Sequence, residues 1–382
     1  MKKKIVFFTG SRADFGIMSK LIKLVQKKKS NTKLIVSGNH FSKNYGYTFN
    51  EIRKEKIKNI VKASANNDKT EDISILKSFS EIILKTGKQL KILRPSLFVV
   101  LGDRYEALAG TIAAMLQRIP IAHINGGELT EGAYDDFIRH SISKMSHIHF
   151  TSHKTYKKRL IQLGENKKNI FNYGSLGASL TKDYKLLNKS EILTELKIKN
   201  FDKYFVITFH PITLEKKKSK KYFQNLLDCL TEYKNINFIF TFPNADNESN
   251  EIINTLKKFK KKNNKIAIFK SLGVKKYFSL IKYSSGLIGN SSSGILEAPT
   301  FKIPILNIGD RQKGRLCARS VLNSNYTKKN IKSNLNKILS KSFHKNIKKT
   351  KNPFYKKNTV INITNKLLSV DSIKLKKKFF DI

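Results

Sequence analysis

Residues 96–149 read SLFVVLGDRYEALAGTIAAMLQRIPIAHINGGELTEGAYDDFIRHSISKMSHIH. The apolar run 97–101 predicts a buried strand, and residues 105–117 have apolar positions at helical spacing. A second apolar run, 119–124, predicts the next strand, and another helix is expected to begin at Asp135. Ligands of open α/β sheets bind at the carboxyl ends of parallel strands, where this stretch carries charged side chains. The stretch therefore predicts a parallel α/β sheet with a functional site at one edge.

The rest of the chain repeats this alternation of strand and helix on both sides of a polar stretch that ends at residue 202. Such spacing is typical of doubly wound parallel sheets, and 382 residues favour two domains over one. We expect an N-terminal domain over 1–178, a C-terminal domain over 179–365, and a tail over 366–382. Packing back on the N-terminal domain is one arrangement open to the tail. The other predicted strands are 5–8, 34–37, 147–151, 169–173, 204–208, 237–240, 265–269, 286–288 and 303–308.

The formal charge of +47 is the unusual feature of the composition, since 40% hydrophobic and 27% charged residues are ordinary for a globular protein. Such a charge is compatible with a nucleic-acid partner, a membrane surface or a field that attracts an anionic substrate. The lysines are scattered in short clusters, however, and no interleaving of aromatic and basic residues resembles a nucleic-acid module. We therefore favour a compositional bias spread over solvated faces, with no nucleic-acid partner.

The cysteines and the hydropathy of the chain indicate neither export nor a metal centre. Cys229 and Cys317 provide no disulfide framework and no metal-ligand spacing. The apolar run at 5–8 is too short for a signal peptide, and no window approaches the ~20 apolar residues of a membrane span. We expect a reduced, cytoplasmic protein that needs no metal or other cofactor and has no membrane partner.

Two turns between a strand and a helix have the composition of anion-binding loops. The first, TGSRADFG at 9–16, includes Arg12, whose guanidinium suits bidentate contact with phosphate. It lacks the glycine spacing of a dinucleotide site and the lysine of a P-loop. The second, GNSSSG at 289–294, offers hydroxyl groups and is followed by Glu297. His210 ends another predicted strand, so it too is expected at a carboxyl edge.

Seven motifs occur in order along both halves of the chain: GSRADFG, LGDRYE, HINGGE, DDFIRHSISKMSHIHF, FHP, LIGNSSSGILEAP and NIGDRQKGR. In this set the chain resembles the hydrolysing UDP-N-acetylglucosamine 2-epimerases of bacterial sialic-acid synthesis. The resemblance extends from residue 5 to about residue 320. It implies an α/β fold of GT-B architecture, with two Rossmann-like doubly wound parallel-sheet domains facing a central cleft.

The resemblance implies that UDP-GlcNAc and water give UDP and N-acetylmannosamine, with inversion at C2. The route is elimination of UDP to a 2-acetamidoglucal, followed by hydration. Removal of the C2 proton requires a base, and the departing diphosphate requires cationic and N–H groups. By motif position, catalysis is assigned to Asp103, His123 and Asp135, with Glu128 as a further carboxylate. UDP binding is assigned to Arg12, Arg104, His210, Asn244, Ser291, Ser292, Glu297 and Arg311.

One motif departs from the family pattern. Many relatives read HIEGGE where this chain reads HINGGE, so Asn125 stands where they carry a glutamate. A neutral amide cannot act as a base, so Glu128 or Asp135 covers that role, or a variant sugar is used. The assignment of base and acid among the carboxylates therefore stays open.

Several of these residues also have structural interpretations. Asp103 can serve as the N-cap of the helix that follows it, a frequent use of aspartate. His123 can be a satisfied histidine near the core. Arg139 and His140 are expected to brace their helix against the site. Ser292 is expected to contact phosphate, because no G-x-S-x-G elbow presents it as a nucleophile.

Other functions are compatible with the same sequence. The first alternative is a hydrolysing epimerase that acts on UDP-N,N'-diacetylbacillosamine, a 2,4-diacetamido-trideoxy sugar, on the way to legionaminic acid. A GT-B glycosyltransferase would require an acceptor, and a non-hydrolysing epimerase would return a UDP-linked product. A binding protein for nucleic acid or an anionic surface would rest on charge alone. We expect a homo-oligomer, either a dimer or a tetramer.

Overall fold

Helices alternate with parallel strands along the chain in the computed structural model. No helix in the part of the chain that the structure describes is long and apolar enough to cross a bilayer. The described residues are 4–29, 31–65, 71–199, 201–370 and 372–381.

The chain divides into two compact units and passes between them more than once. The first unit comprises Met1–Glu128, Asp135–Ser179 and Phe354–Ile382. The second comprises Leu129–Tyr134 and Leu180–Pro353. Each unit contains one sheet and the helices that cover it.

The elements are numbered here in chain order. The strands are β1 Ile5–Thr9, β2 Lys33–Ser37, β3 Ile60–Ala63, β4 Leu97–Leu101, β5 Ile121–Ile124, β6 Ile148–Thr151, β7 Ile170–Asn172, β8 Tyr204–Thr208, β9 Asn237–Thr241, β10 Ile266–Phe269, β11 Gly286–Gly289, β12 Ile305–Ile308 and β13 Val321–Ser324. The helices are α1 Arg12–Lys28, α2 Phe49–Lys54, α3 Asp72–Leu93, α4 Tyr105–Leu116, α5 Asp135–Met145, α6 Lys154–Gln162, α7 Leu176–Asp183, α8 Lys189–Glu195, α9 Ser219–Leu230, α10 Ser249–Lys261, α11 Gly273–Lys282, α12 Ser293–Leu296, α13 Lys328–Leu339, α14 Lys341–Ile347 and α15 Thr359–Ser369.

The first sheet has the strand order β3-β2-β1-β4-β5-β6-β7, and its pairs are parallel. Every residue of β1, β4, β5 and β6 is buried, as is usual for parallel strands that helices cover on both faces. The order reverses between β1 and β4, so the loops that follow these two strands lead to opposite faces of the sheet. The crevice at this reversal is where ligands of doubly wound sheets bind.

The second sheet repeats this arrangement with the order β10-β9-β8-β11-β12-β13, again with parallel pairs. Its reversal lies between β8 and β11, whose residues are all buried. Both units are therefore doubly wound parallel sheets, and this part of the predicted fold class is confirmed. The two reversals place the loops after β1, β4, β8 and β11 at ligand-binding edges.

The C-terminal segment belongs to the first unit. Phe354 is fully buried, and its ring stacks on that of Tyr156 with 6.0 Å between the centroids. Helix α15 packs against α1, and the backbone N–H of Phe380 donates to the carbonyl of Gly164 at 2.9 Å. Residues 354–365, which the sequence analysis grouped with the second domain, thus lie in the first unit.

Two strands were missed by the sequence analysis, and two others begin two residues later than predicted. β3 and β13 are edge strands with several half-exposed residues, so they lack the long apolar run that identifies the buried strands. β5 and β12 begin directly after Pro120 and Pro304. Proline has no N–H for the ladder, which explains why the predicted starts at 119 and 303 are wrong by two residues.

Candidate active site

Asp103 lies two residues beyond β4 and retains 22% of its side-chain exposure. Its Oδ2 forms an ion pair with Nη2 of Arg139, a residue of α5 that has no exposed surface. Arg139 also donates to Oδ1 of Asp136 at 3.2 Å and to the carbonyl of Glu128 at 3.0 Å. A buried charge is tolerated only when such partners compensate its desolvation. Arg139 therefore holds three acidic segments of the first unit together.

The charges in this cluster support one another. Burial lowers the pKa of Arg139, but the Asp103 and Glu128 carboxylates raise it by more, so the guanidinium stays charged. The ion pair in turn holds Oδ2 of Asp103 in place. Helix α4 begins at Tyr105 with Arg104 in the N-cap position, so Asp103 does not cap it. The structural interpretation of Asp103 as a cap is therefore wrong.

His123 is a buried residue of β5 whose two ring nitrogens both have partners within the first unit. Nε2 lies 2.7 Å from the carbonyl oxygen of Gly102, and Nδ1 lies 3.0 Å from the hydroxyl of Ser143. A carbonyl oxygen only accepts, so Nε2 carries the proton and Nδ1 accepts from Ser143. Burial lowers the pKa of His123 to about 3, so the ring is neutral. His123 thus connects the residue before Asp103 with α5.

Asn125 occupies a position that suits asparagine. Its φ of 68° lies in the left-handed region, which asparagine adopts more readily than most residues. The backbone N–H donates to the carbonyl of Phe150 at 2.8 Å. Its buried Oδ1 has no hydrogen-bond partner among the described residues. The next residue, Gly126, has no room for a side chain, because a Cβ there would lie 2.7 Å from Oγ of Ser143.

Glu128 and Asp135 are more enclosed than Asp103. Glu128 has no exposed surface, and its Oε1 accepts from the hydroxyl of Ser152 at 2.7 Å. Asp135 is the first residue of α5 and is 7% exposed. A carboxylate is favourable at a helix N-terminus. Of the three predicted carboxylates, Asp103 alone is not buried in the described structure.

Arg104 is held by a buried carboxylate that the sequence analysis did not assign to the site. Nε and Nη2 of Arg104 donate to Glu106 at 3.1 Å and 3.3 Å. The side-chain amide of Asn39 donates to the same carboxylate at 2.6 Å. Burial raises the pKa of Glu106 to about 7, although Arg104 opposes the shift. Glu106 therefore orients the guanidinium of Arg104. With a pKa of about 7, it titrates close to neutral pH.

The loop after β1 does not hold its backbone N–H groups ready for an anion. The Asp14 carboxylate accepts from the N–H groups of Gly10 and Ser11, each at 2.9 Å, and from the hydroxyl of Thr9 at 3.1 Å. The chain thus supplies its own carboxylate to these two amides, and an anion at this loop stays a prediction that would depend on the other groups of the turn. Arg12, half-buried in the first position of α1, remains the cationic group of this loop.

In the second unit, Asn290 joins the loops that follow β8 and β11. Its side chain accepts from the N–H of His210 at 2.6 Å and donates to the His210 carbonyl at 2.8 Å. The N–H of Asn244 donates to Nδ1 of His210 at 3.2 Å, so the ring proton of a neutral His210 lies on Nε2. Gly289 permits this approach, since its φ is +129° and a Cβ would lie 2.0 Å from the carbonyl oxygen of Thr208.

Arg311 and Gln312 bind the backbone of the same loop. Nη1 of Arg311 donates to the carbonyl of Asn290 at 3.2 Å, and Nε2 of Gln312 donates to that oxygen at 2.9 Å. Nε of Arg311 is buried without a hydrogen-bond partner among the described residues. Buried N–H groups of this kind are rare unless a ligand or water satisfies them. The guanidinium is thus oriented by the loop and keeps a donor for another group.

The serine-rich turn after β11 leads into a very short helix. Helices that bind phosphate at their N-terminus are usually longer. Helix α12 has 4 residues and gives way to a 3-10 turn over Ala298–Phe301. Ser292 is its N-cap, and Oγ of Ser291 accepts from the N–H of Ser293 at 3.3 Å. Glu297 follows and is 4% exposed. Because the helix is so short, its dipole contributes little, and the serine hydroxyls are the groups of this turn that suit an anion.

The predicted residues are divided between the two units. Arg139, Glu106 and Asn290 were not assigned to the site from sequence, although each binds a residue that was. Across the described ranges, no group of three His, Cys, Asp or Glu side chains is arranged to hold a metal ion. The first group is Arg12, Asp103, Arg104, His123, Glu128 and Asp135, and the second is His210, Asn244, Ser291, Ser292, Glu297 and Arg311.

Comparison with known proteins gives the family of the chain. The family model described as UDP-N-acetylglucosamine 2-epimerase matches residues 23–368. The chain belongs to the UDP-N-acetylglucosamine 2-epimerase family. The family resemblance seen in the seven motifs is therefore confirmed.

Relatives of this epimerase-family chain extend over nearly its whole length. The GDP/UDP-N,N'-diacetylbacillosamine 2-epimerase (hydrolyzing) of Campylobacter jejuni is 43% identical over 90% of this chain and 90% of its own. The polysialic acid biosynthesis protein P7 of Escherichia coli is 40% identical over 100% of this chain and 98% of its own. The first of these relatives is named for epimerisation of a nucleotide sugar, and the second for polysialic acid biosynthesis.

A solved structure of the family supports the fold. The UDP-GlcNAc 2-epimerase from Neisseria meningitidis, determined with UDP-GlcNAc bound, aligns with a TM-score of 0.80 at 19% identity. The alignment covers 96% of this chain and 99% of that one. The epimerase-family chain therefore has the GT-B fold class, with two Rossmann-like parallel-sheet units.

Proposed function

We propose that the chain is a hydrolysing UDP-N-acetylglucosamine 2-epimerase, which converts UDP-GlcNAc and water to UDP and N-acetylmannosamine. The pairing of partly exposed Asp103 with buried Arg139 at the end of β4 carries this proposal. An ionised carboxylate that is fixed in place and open to solvent is the group that removal of a carbon-bound proton requires. The similarity to a protein of polysialic acid biosynthesis agrees with this product.

The proposed reaction has two steps. In the first, a carboxylate takes the proton from C2, the C–H electrons form the C1–C2 double bond, and the bond from C1 to the UDP oxygen breaks. In the second, water adds its oxygen to C1 of the glucal while a proton is delivered to the opposite face of C2. The sum is one UDP and one N-acetylmannosamine for each UDP-GlcNAc and water. The electron pair of the broken bond leaves with UDP, and the reaction involves no net oxidation or reduction.

We assign the C2 proton to Asp103 because it is the accessible carboxylate of the three. Asp135, at the start of α5, is less enclosed than Glu128 and is the better source of the second proton. Glu128 shapes the site through Ser152 and through the carbonyl that binds Arg139. His123 acts by position, since both of its nitrogens are used within the chain. Asn125 then needs no part in proton transfer.

We assign UDP binding chiefly to the loops after β8 and β11 in the second unit. Nε of Arg311 and Nε2–H of His210 are donors suited to phosphate oxygens, and an Arg contact of this kind is among the strong ones. The buried carboxylate of Glu297 is suited to ribose hydroxyls. Arg104, held by Glu106, adds positive charge where the diphosphate departs. The remaining members by motif are Arg12, Asn244, Ser291 and Ser292.

A second substrate is favoured by one observation. The Campylobacter jejuni relative, at 43% identity, is named for UDP-N,N'-diacetylbacillosamine. The same two steps act on this sugar, because it has the same acetamido group at C2. We therefore carry it as the alternative substrate, with legionaminic acid rather than sialic acid as the pathway.

Both sugars should be offered to the purified protein, with free UDP and the released sugar measured together. We expect equal amounts of UDP and N-acetylmannosamine from UDP-GlcNAc, with no acceptor added. Turnover of the diacetamido sugar alone would select the alternative substrate. A UDP-linked product, or UDP release only with an acceptor sugar, would contradict the hydrolysing reaction.

The assembly and location of the enzyme are further parts of the proposal. We infer a homo-oligomer, dimer or tetramer, in the cytoplasm, where nucleotide sugars are made. Light scattering on the purified protein would give its mass directly. A mass equal to the 43.8 kDa of one chain would contradict the oligomer.

A further inference from the structure

One lysine near the C-terminus binds the first unit away from the proposed site. Nζ of Lys377 donates to the carbonyl of Ser146 at 2.5 Å and to that of Lys144 at 2.8 Å. It also binds both oxygens of Glu165, at 2.7 Å and 2.8 Å. An ammonium has three N–H donors, so these contacts use all of them. Only a quarter of the Lys377 side chain remains exposed.

This lysine balances a buried negative charge. Glu165 is 3% exposed and accepts from Nε2 of His149, which has no exposed surface, at 3.0 Å. Burial raises the pKa of Glu165, but His149 and Lys377 lower it by more, so it stays a carboxylate. Burial lowers the pKa of His149, so its ring is neutral. Lys144 is a second cation at 3.3 Å, with 47% of its side chain exposed.

The first connection to the proposed site runs through α5. The carbonyls of Lys144 and Ser146 lie at the C-terminal end of this helix, where a cation is favourable. Ser143 directly precedes Lys144, and Arg139 lies one to two turns earlier in α5. These two residues bind His123 and Asp103. A shift of the helix end would therefore displace the partners of both.

The second connection runs through the sheet. His149 on β6 pairs in register with His123 on β5. The backbone of β6 also accepts the N–H of Asn125 at the carbonyl of Phe150. Glu165 and Lys377 thus hold His149, which pairs with His123 across the sheet. Helix α5 holds the other neighbour of His123, the hydroxyl of Ser143.

We propose that Lys377 is a positioning residue, which holds the end of α5 and strand β6 so that Arg139 and His123 present Asp103 correctly. The effect of Lys377 on kcat rests on the proposed function, whereas its effect on hydrogen exchange in α5 does not. Other contacts keep the tail in place without the Lys377 charge. The N–H of Phe380 donates to the Gly164 carbonyl at 2.9 Å, and the ring of Phe379 lies 4.4 Å from Nζ of Lys144.

The test uses the full chain with Lys377→Met and Lys377→Arg. Lys378→Met is the matched control, because this neighbouring lysine is exposed and its loss removes the same charge. Lys356→Met is a second control, because it removes another lysine-to-carbonyl contact of the C-terminal segment, 2.9 Å to Asn172. We would measure kcat, KM, melting temperature and hydrogen exchange of the α5 amides.

For Lys377→Met we expect kcat to fall by about 10- to 100-fold with KM within about twofold, since small misplacement of catalytic groups costs this much. Exchange at the end of α5 should accelerate. Lys377→Arg should restore most of kcat, and both control variants should keep wild-type kcat even if Lys356→Met melts earlier. If Lys377→Met does not fold, Lys377→Gln takes its place in the same measurements, because the amide keeps an N–H donor for the carbonyls but lacks the charge.

Unchanged kcat in Lys377→Met, with or without a lower melting temperature, would overturn the positioning role. Unchanged α5 exchange would overturn it as well. A wild-type protein that turns over neither UDP sugar would contradict the proposed function instead, and the exchange of α5 would still test the contact.

Discussion

Asp103 illustrates how one side chain acquires a chemical role from its surroundings. Its position after β4 delivers it to the sheet edge, and Arg139 fixes one oxygen while part of the side chain faces solvent. The position was predictable from the apolar run that ends in GDR. The partner was not, because Arg139 is separated from Asp103 in sequence and only the packed structure shows that it is fully buried.

Asp103→Asn should keep the fold and UDP binding while abolishing turnover, because the amide fits the same space but cannot take a proton. Steady-state turnover and UDP calorimetry on the same preparation would measure both. Asp381→Asn is the control, because it removes the same carboxylate at an exposed position away from the site. Asn39→Asp would not serve as a control, because it adds a charge beside Glu106. Wild-type turnover in Asp103→Asn would show that the site is misassigned.

Arg311→Ala should weaken UDP binding by about 1.5–3 kcal/mol, the usual cost of losing a charge-assisted hydrogen bond. Its Nε lacks a partner among the described residues, so the side chain has a donor to give. Arg319→Ala, at an exposed position of the same segment, is the control. Equal UDP affinities for the two variants would remove Arg311 from the nucleotide site.

Helix α5 is the element on which the first-unit site depends. It begins with Asp135, carries Arg139 and Ser143 on its buried side, and ends at the carbonyls that Lys377 binds. The DDFIRHSISK motif predicted this helix and its first residue. It did not distinguish a bracing arginine from the central ion-pair partner, because sequence spacing gives a face of the helix and not what packs against it.

Arg139→Met should destabilise the protein by about 3–5 kcal/mol, because it leaves buried carboxylates without their cation. It should also remove turnover, since Asp103 loses its fixed orientation. Chemical denaturation followed by circular dichroism would measure the first effect. Ser141→Ala, on the exposed side of α5, should change neither quantity. A stable, active Arg139→Met would mean that the ion pair does not organise the site.

Other elements show where sequence reasoning reaches its limit. The buried strands β1, β4 and β8 were predicted because a parallel strand covered on both faces is a continuous apolar run. β3 and β13 were missed because edge strands mix polar and apolar residues. The turn at Gly10 and Ser11 shows how local a missed contact can be, because Asp14, three and four residues further on, accepts from both amides as part of a capping box.

For the whole molecule, buried histidines predict acid lability. Burial lowers the pKa of His40 to about 4 and that of His123 to about 3, and it also lowers the pKa values of His147 and His149. These groups are neutral in the folded state but bind protons in the unfolded chain below about pH 6.5. Glu106, whose pKa is raised to about 7, keeps its proton in the folded state and opposes this effect over part of the range. The histidines outnumber it, so the unfolded state holds more protons in sum, and stability should fall as the pH drops from about 6.5 towards 4.

The free energy of unfolding should therefore decrease steadily across this pH range in denaturant titrations. His40→Gln should reduce the slope, whereas exposed His344→Gln should leave it unchanged. A stability that is flat from pH 7 to pH 5 would contradict the assignment of these rings as neutral and buried.

The central claim is that the C2–H bond of the sugar breaks and is replaced during turnover. In deuterated water, the N-acetylmannosamine formed from UDP-GlcNAc should carry one deuterium at C2, with UDP released in equal amount. Mass spectrometry and proton NMR of the product would measure this directly. A simple hydrolase, or a transferase that uses water as acceptor, would release UDP and a sugar. That sugar would keep the gluco configuration and the original hydrogen at C2. Protium retained at C2 would contradict both the mechanism and the role of Asp103.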